Sequence, residues 1–205
     1  MNPLLPLLTA FAAGFSHALA PDHVAAVGTF VSRRPRPVDC LRFGTRWGFG
    51  HSASVMLAGG LILLLDVRVS ERLAQNLERG VGAMLVGLGV WLLWCLAHER
   101  VHGRPSSDNE GGRRGSFLVG VAHGLAGTAP LIGLLPLAFI QPREAALAYL
   151  LLFSAGTVIA MALFAGAAGL VLSAAGRARP GLALTFRFGA ALGSVVIGAV
   201  WFASV

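Results

Sequence analysis

The chain has 205 residues, of which 56% are hydrophobic and 12% charged, and its mean hydropathy is +0.74. That is too apolar for a soluble domain, and several segments exceed the roughly 20 residues that cross a bilayer, so one integral membrane domain is expected. The net charge is +7 and all 16 cations are arginine, but they fall in short stretches between apolar runs, the positive-inside pattern, which sets nucleic acid aside as a partner.

The first apolar segment runs from about Leu4 to Val31. Its start imitates a secretory signal and even ends Ala18-Leu19-Ala20. It lacks a basic beginning, and cleavage there would split a polar cluster, so it is expected to be retained as a first helix. That cluster is His17, Asp22 and His23, inside an otherwise apolar stretch. An ionisable side chain at mid-bilayer costs roughly 2.5–3.5 kcal/mol on insertion scales. Two imidazoles and a carboxylate are a ligand set for nickel, zinc, copper or iron; the plainer alternative is a polar face that packs helices together.

On a straight helix His17 and His23 would sit about 120° and about 9 Å apart, too far to share one small ion. Pro21 changes this. It cannot donate to the carbonyl of His17, and it pushes Ala20 out of α geometry, so a break is expected that lets the ligands converge and frees carbonyl oxygens. Broken helices near the midplane are how secondary transporters build ion sites.

A basic loop is expected over 32–46, with Arg33, Arg34, Arg36, Arg42 and Arg46, then a second helix from about Arg46 to Leu65. It opens Gly48-Phe49-Gly50-His51-Ser52, and His51 is placed at a depth similar to His23, as a ligand, a relay or a packing residue. Asp66 to Glu78 reads as a charged loop in which Ser70 caps a brief surface helix. A third helix runs from about Gly80 to Ala97, followed by a polar loop over 98–115.

Within that loop His98-Glu99-Arg100-Val101-His102 matches the His-Glu-x-x-His pattern of zinc proteases. That chemistry needs a third ligand, and Gly103 and Pro105 follow at once, so the stretch either gathers metal weakly or has no role. No phosphate-cradling loop occurs and there is no lysine, which argues against ATP-driven transport by this chain alone. Cys40 and Cys95 are far apart, so no structural disulfide or thiolate metal site is expected.

A fourth helix is expected over about Ser116 to Ile140, interrupted by Pro130 and Pro136, and it carries His123. His123 either joins the ligands or orients one from behind, and Thr128 could add an oxygen. A fifth helix runs from Glu144 to Leu172, a last loop from Ser173 to Leu182, and a sixth helix ends the chain.

Gly14-x-x-His17-x-Leu19-Ala20 recurs as Gly120-x-x-His123-x-Leu125-Ala126, 106 residues later, and Gly50 and Gly60 match Gly156 and Gly166 at the same offset. Three helices separate the copies, so the halves insert with opposite orientation. The fold expected is all-α and polytopic: six transmembrane helices as a 3+3 inverted repeat. It forms a single domain over 1–205, with half-repeats of about 1–97 and 116–205 joined by the loop 98–115. The odd loops hold 11 arginines and the even loops, with Arg79 and Arg143 at their ends, four, which puts the odd loops in the cytoplasm and both termini outside.

His17-Ala18-Leu19-Ala20-Pro21-Asp22-His23 resembles the HxxxxDH signature of the nickel/cobalt transporter family, and Gly50-His51-Ser52 resembles its second signature. The larger members have eight helices and a later Asp-Thr signature. This chain has six expected helices and His123-Gly124-Leu125-Ala126-Gly127-Thr128 in the comparable place, which resembles the shorter, urease-accessory, UreH-like branch. The resemblance implies a secondary transporter for Ni²⁺, with Co²⁺ as the companion ion, in the cell inner membrane, not an enzyme, with His17, Asp22, His23, His51 and His123 as the metal path. Protons compete with metal for such ligands, so proton coupling is chemically available. Expected partners are the metal, as substrate rather than cofactor, and the bilayer; a second copy of the chain stays open. The rival readings are export of another substrate, a thiol-based membrane electron carrier, and an intramembrane protease.

Overall fold

The computed structural model describes residues 4–33, 36–65, 70–102, 111–126, 140 and 142–204. Seven helices lie among them: α1 (Leu4–His17), α2 (Pro21–Val31), α3 (Pro37–Leu65), α4 (Glu71–His102), α5 (Gly111–Ala126), α6 (Arg143–Ala178) and α7 (Pro180–Ala203). There is no strand among the described residues.

The first apolar segment is broken where Pro21 requires it. α1 stops at His17, and α2 restarts with Pro21 in its first turn, where a missing N–H costs nothing. Ala20 between them has φ −59° and ψ 149°, the extended geometry that a following proline favours. One expectation fails here. The His17 carbonyl is not released, because the Ala20 N–H donates to it at 3.0 Å, as the Leu19 N–H does to the Ser16 carbonyl at 3.0 Å. The end of α1 tightens into shorter-range bonds rather than leaving bare oxygens.

Elsewhere the helices run further than the charges suggest. Pro37 starts α3 nine residues before the expected beginning at Arg46, so most of the expected basic loop over 32–46 is helix, and Arg42 pairs with Asp39 on its surface at 3.7 Å. Ser70 does cap, accepting the Leu73 N–H at 3.3 Å, but the helix it opens continues unbroken to His102. Residues 98–102 and 111–115 of the expected central loop are helical. The expected last loop over 173–182 reduces to Arg179 between α6 and α7. In each case arginines within or beside apolar runs continue a helix end, since a long arginine reaches the interface from inside it. Residues 103–110, and 127–139 with Thr128, Pro130 and Pro136, lie outside the described residues.

The core is apolar, as in a water-soluble bundle, but it also encloses polar groups, and large apolar side chains cover the surface. Asp22, His23, His51, His123, Thr157 and Ser194 are buried, while Leu5, Leu8, Leu57, Leu118, Leu170 and Val200 are exposed. A surface of leucine around a core holding imidazole and hydroxyl groups suits hydrocarbon as solvent. Among the described residues, three helices, over Glu71–Glu99, Arg143–Ala178 and Gly181–Ala203, are long and apolar enough to cross a membrane.

The main packing pairs are α1 with α6, α3 with α5, α3 with α6 and α4 with α7. Glycines set their closeness. A Cβ at Gly14 would strike the Phe153 carbonyl, and one at Gly156 the Phe11 carbonyl. A Cβ at Gly120 would strike the Trp47 carbonyl, and one at Gly50 the Phe117 carbonyl. The second pair of collisions is the first with each partner moved 106 positions along the chain, in opposite senses.

Gly50→Val is therefore expected to cost about 1–3 kcal/mol by overpacking the α3–α5 crossing. Gly60→Ala, where an added Cβ meets nothing within 4 Å, should gain about 0.5–1 kcal/mol from helix propensity. Thermal unfolding in detergent distinguishes them, and equal effects would contradict the crossing geometry.

Candidate metal site

The break at residues 18–20 decides where the polar side chains go. His17 is the last residue of α1, and Asp22 and His23 are in the first turn of α2. That turn exposes unpaired N–H groups and the positive end of the helix dipole, which favours a carboxylate at Asp22. His51 comes from the middle of α3 and His123 from the last turn of α5. All five residues named from the sequence converge on one place.

The His17 and His51 Nε2 atoms are 3.2 Å apart. Two nitrogens each about 2.0–2.1 Å from one ion, at roughly a tetrahedral angle, lie about that far from each other. His123 Nε2 is 3.1 Å from Asp22 Oδ2, and His23 Nδ1 is 3.0 Å from Asp22 Oδ1. The His23 ring centroid is 4.4 Å from that of His123, 4.6 Å from His17 and 4.9 Å from His51. His23 is thus the hub of the cluster.

The hub is also incompletely satisfied. His23 is 1% exposed; its Nε2 has no hydrogen-bond partner among the described residues, and its Nδ1 meets the Asp22 carboxylate at 3.0 Å. His51 Nδ1 and His123 Nδ1 are buried and unpartnered too. A buried polar atom without a partner costs about 1–3 kcal/mol, so this cluster is expensive as it stands. An ion that draws on the imidazole lone pairs offsets that cost. His17 is only half-buried, which makes it the ligand nearest the outside of the bundle.

The ligand atoms form two compact groups, His17 with His23 and His51, and Asp22 with His23 and His123, each within a 4.8 Å span. Nitrogen donors with one carboxylate suit borderline transition metals; magnesium and calcium favour oxygen ligands.

Two residues of the site escape sequence reasoning. Trp47, one turn before His51, packs its ring 5.3 Å from His123 and 5.9 Å from His23, and its buried Nε1 has no partner among the described residues. Nothing in an apolar helix marks one tryptophan as a wall of a metal site. Thr157 donates to the Gly14 carbonyl at 3.1 Å and the Phe153 carbonyl at 3.0 Å, fixing α1 against α6 one turn from His17. It stands 106 residues after His51, so the repeat offset could have singled it out.

The His98–His102 stretch lies apart from this chemistry. It ends α4, and Glu99 is clamped by Arg187 at 2.8 Å and Arg33 at 3.5 Å. Arg33 also stacks on Trp91 at 4.9 Å and donates to the Cys95 thiol. A carboxylate held between two guanidiniums is an ion-pair junction joining the end of α2 to α4 and α7, not a general base. Cys95 is buried beneath it, and Cys40 is buried against Gly169.

Among known proteins, the chain is 33% identical over 185 residues to the urease accessory protein UreH of Bacillus sp. (strain TB-90), covering 85% of this chain and 81% of that one. It is 31% identical to the chloroplast protein FOR GROWTH AND FERTILITY 2 of Arabidopsis thaliana, over 75% of this chain and 44% of that longer protein. It is 26% identical to a Methanocaldococcus jannaschii protein named provisionally as a nickel/cobalt efflux system, over 77% of this chain and 73% of that one. No protein-family model and no solved structure matches the chain. None of the three names is that of an enzyme.

Glu99→Gln leaves two guanidiniums facing a neutral amide. Discounted for its partial exposure, the loss is expected to be about 2 kcal/mol of stability. Thermal unfolding of the purified variant checks this, and an unchanged melting temperature would remove the junction from the account of the fold.

Proposed function

The chain belongs to the UreH-like branch of the nickel/cobalt transporter family, and from that premise we propose that it is a multi-pass secondary transporter carrying Ni²⁺ or Co²⁺ across the cell inner membrane by way of His17, Asp22, His23, His51 and His123. The observation that carries the reading is the cluster about His23: an imidazole 1% exposed, its Nε2 without a hydrogen-bond partner among the described residues and its Nδ1 3.0 Å from the Asp22 carboxylate, shared between two groups of candidate ligands. Histidines that only pack helices spend their ring nitrogens on neighbours, as Ser52, Ser54 and Thr157 spend their hydroxyls on carbonyls, whereas His23 Nε2, His51 Nδ1 and His123 Nδ1 have no such partner among the described residues. The metal is the substrate. Asp22 offsets one of its charges, and the neutral imidazoles supply the remaining ligands.

The architecture proposed is a single domain over 1–205 with six spans in two inverted halves, about 1–97 and 116–205. α1 has 14 residues, about 21 Å of helix, which is short of a hydrocarbon core of about 30 Å. α1 and α2 together make one span interrupted at depth. Two observations support the halves: the glycine collisions that repeat at an offset of 106, and the equivalent places of His17 and His123 in the last turns of α1 and α5. The rival electron carrier needs thiols that reach a partner, and both cysteines are buried.

His23→Ala is expected to abolish high-affinity nickel binding by the purified protein and nickel flux in proteoliposomes, with the protein still inserted and monodisperse. Wild-type protein that moves neither Ni²⁺ nor Co²⁺ under any imposed gradient would refute the transporter reading.

Cys40 is too buried to report topology, but Val38, the second residue of α3, is exposed. Val38→Cys should react with an impermeant maleimide in inside-out vesicles and not in intact cells. Labelling from the outside would reverse the orientation proposed from the arginine distribution.

A further inference from the structure

His23 cannot serve all its neighbours at once. Its ligand atoms belong to one group with His17 and His51 and to another with Asp22 and His123, and within each group the atoms lie no more than 4.8 Å from one another. Ligands about 2.1 Å from a common ion are at most about 4.2 Å apart, so each group closes on an ion with shifts of a few tenths of an ångström. The five residues meet at a shared member rather than around one centre: the His17 and His51 Nε2 atoms face each other at 3.2 Å, while the Asp22 Oδ2 and His123 Nε2 atoms face each other at 3.1 Å.

We propose that the cluster holds one ion in either of two alternating positions that share His23, and that hand-over between them is the central step of transport. This rests on the transporter reading above. One position is formed by His17, His23 and His51; the other by Asp22, His23 and His123. His23 Nδ1 lies 3.0 Å from Asp22 Oδ1 and serves the second position, which leaves Nε2 for the first. A neutral imidazole has one lone pair, so hand-over to the first position moves the His23 proton from Nε2 to Nδ1, where the Asp22 carboxylate accepts its hydrogen bond while the ion is in the first position.

The ligand chemistry makes the positions unequal. The first offers three neutral imidazoles, so a dication there keeps its full charge in an apolar surround. The second offers a carboxylate at a helix N-terminus, which lowers that charge by one. The ion therefore rests against Asp22 and visits the histidine position in transit. Simultaneous occupancy would set two dications on opposite sides of one imidazole with a single carboxylate between them, so only one is held at a time.

Exposure gives the two positions different neighbourhoods. His17, half-buried, lies on the side of the first position, whereas Asp22, His23 and His123 are all buried. His17 ends α1 and His123 ends α5, the equivalent helices of the two proposed halves. An ion passing from the first position, whose three ligands all belong to the half 1–97, to the second gains His123, a ligand from the other half, so the hand-over brings it to the interface between the two halves.

The test is nickel X-ray absorption on the purified protein, with nickel flux in proteoliposomes measured alongside. The wild type is expected to bind one nickel with a shell of two imidazoles and carboxylate oxygen. His51→Ala should leave that shell and the stoichiometry unchanged, yet slow flux by on the order of tenfold or more. His17→Ala, at the half-buried position, repeats the test should loss of buried His51 disturb folding. Asp22→Asn should move the ion, giving a shell of three imidazoles, weaker binding and no flux. A wild-type shell of four imidazoles, from which His51→Ala and His123→Ala each subtract one, describes a single five-ligand site and overturns the proposal while leaving the transporter reading intact. Absence of nickel and cobalt binding by the wild type overturns both.

Discussion

Everything in the site depends on a hydrogen bond that Pro21 cannot make. A continuous helix from Leu4 to Val31 would spread His17 and His23 around its axis. With no N–H at residue 21 the ladder stops, Ala20 turns to extended geometry, and a second helix begins at once. The break presents the end of one helix and the start of another at the same depth, with a histidine on the first and a carboxylate and histidine on the second. Carbonyls beside the break find partners: Ala20 closes back on His17, and Thr157 reaches across from α6 to the Gly14 carbonyl. Irregular backbone at membrane depth is tolerated when its polar groups find such partners.

The second requirement is that α3 and α5 come close enough to bring His51 and His123 to that break. Gly50, Gly120 and Gly124 permit it, since a Cβ on any of them would meet backbone or side-chain atoms of the other helix. Small residues thus determine the distance between ligands that are themselves large, and the tryptophan wall at Trp47 fills what remains. In hydrocarbon, where burying leucine gains little, this close backbone contact is a main source of cohesion.

The cluster was legible because its members are costly where they sit. A titratable group in an apolar span stands out against its neighbours, and Pro21 beside three of them predicts both the break and the convergence. His123 was visible through its repeat partner His17. Trp47 was not, because an aromatic residue in an apolar helix carries no cost to betray it. Helix boundaries were read less well: Arg42, Arg46 and Arg177 look like loop when counted as charges, yet each is in a helix. Glu99 was legible as part of a pattern but not as an ion-pair partner, since Arg33 and Arg187 are 66 and 88 residues away in sequence. Pairings over such separations depend on the packing of α2, α4 and α7.

α2 is a short rod with different attachments at its two ends. Asp22 and His23 ride on its first turn, and Arg33, just past its last, is tied into the junction with Glu99, Trp91 and Cys95. Its 11 residues make a lever of about 16 Å. A tilt of about 4° pivoting on the Arg33 end carries Asp22 through about 1 Å, half the length of a metal–ligand bond. The geometry of the buried histidine and aspartate cluster is therefore mechanically geared to an arginine that takes no part in it.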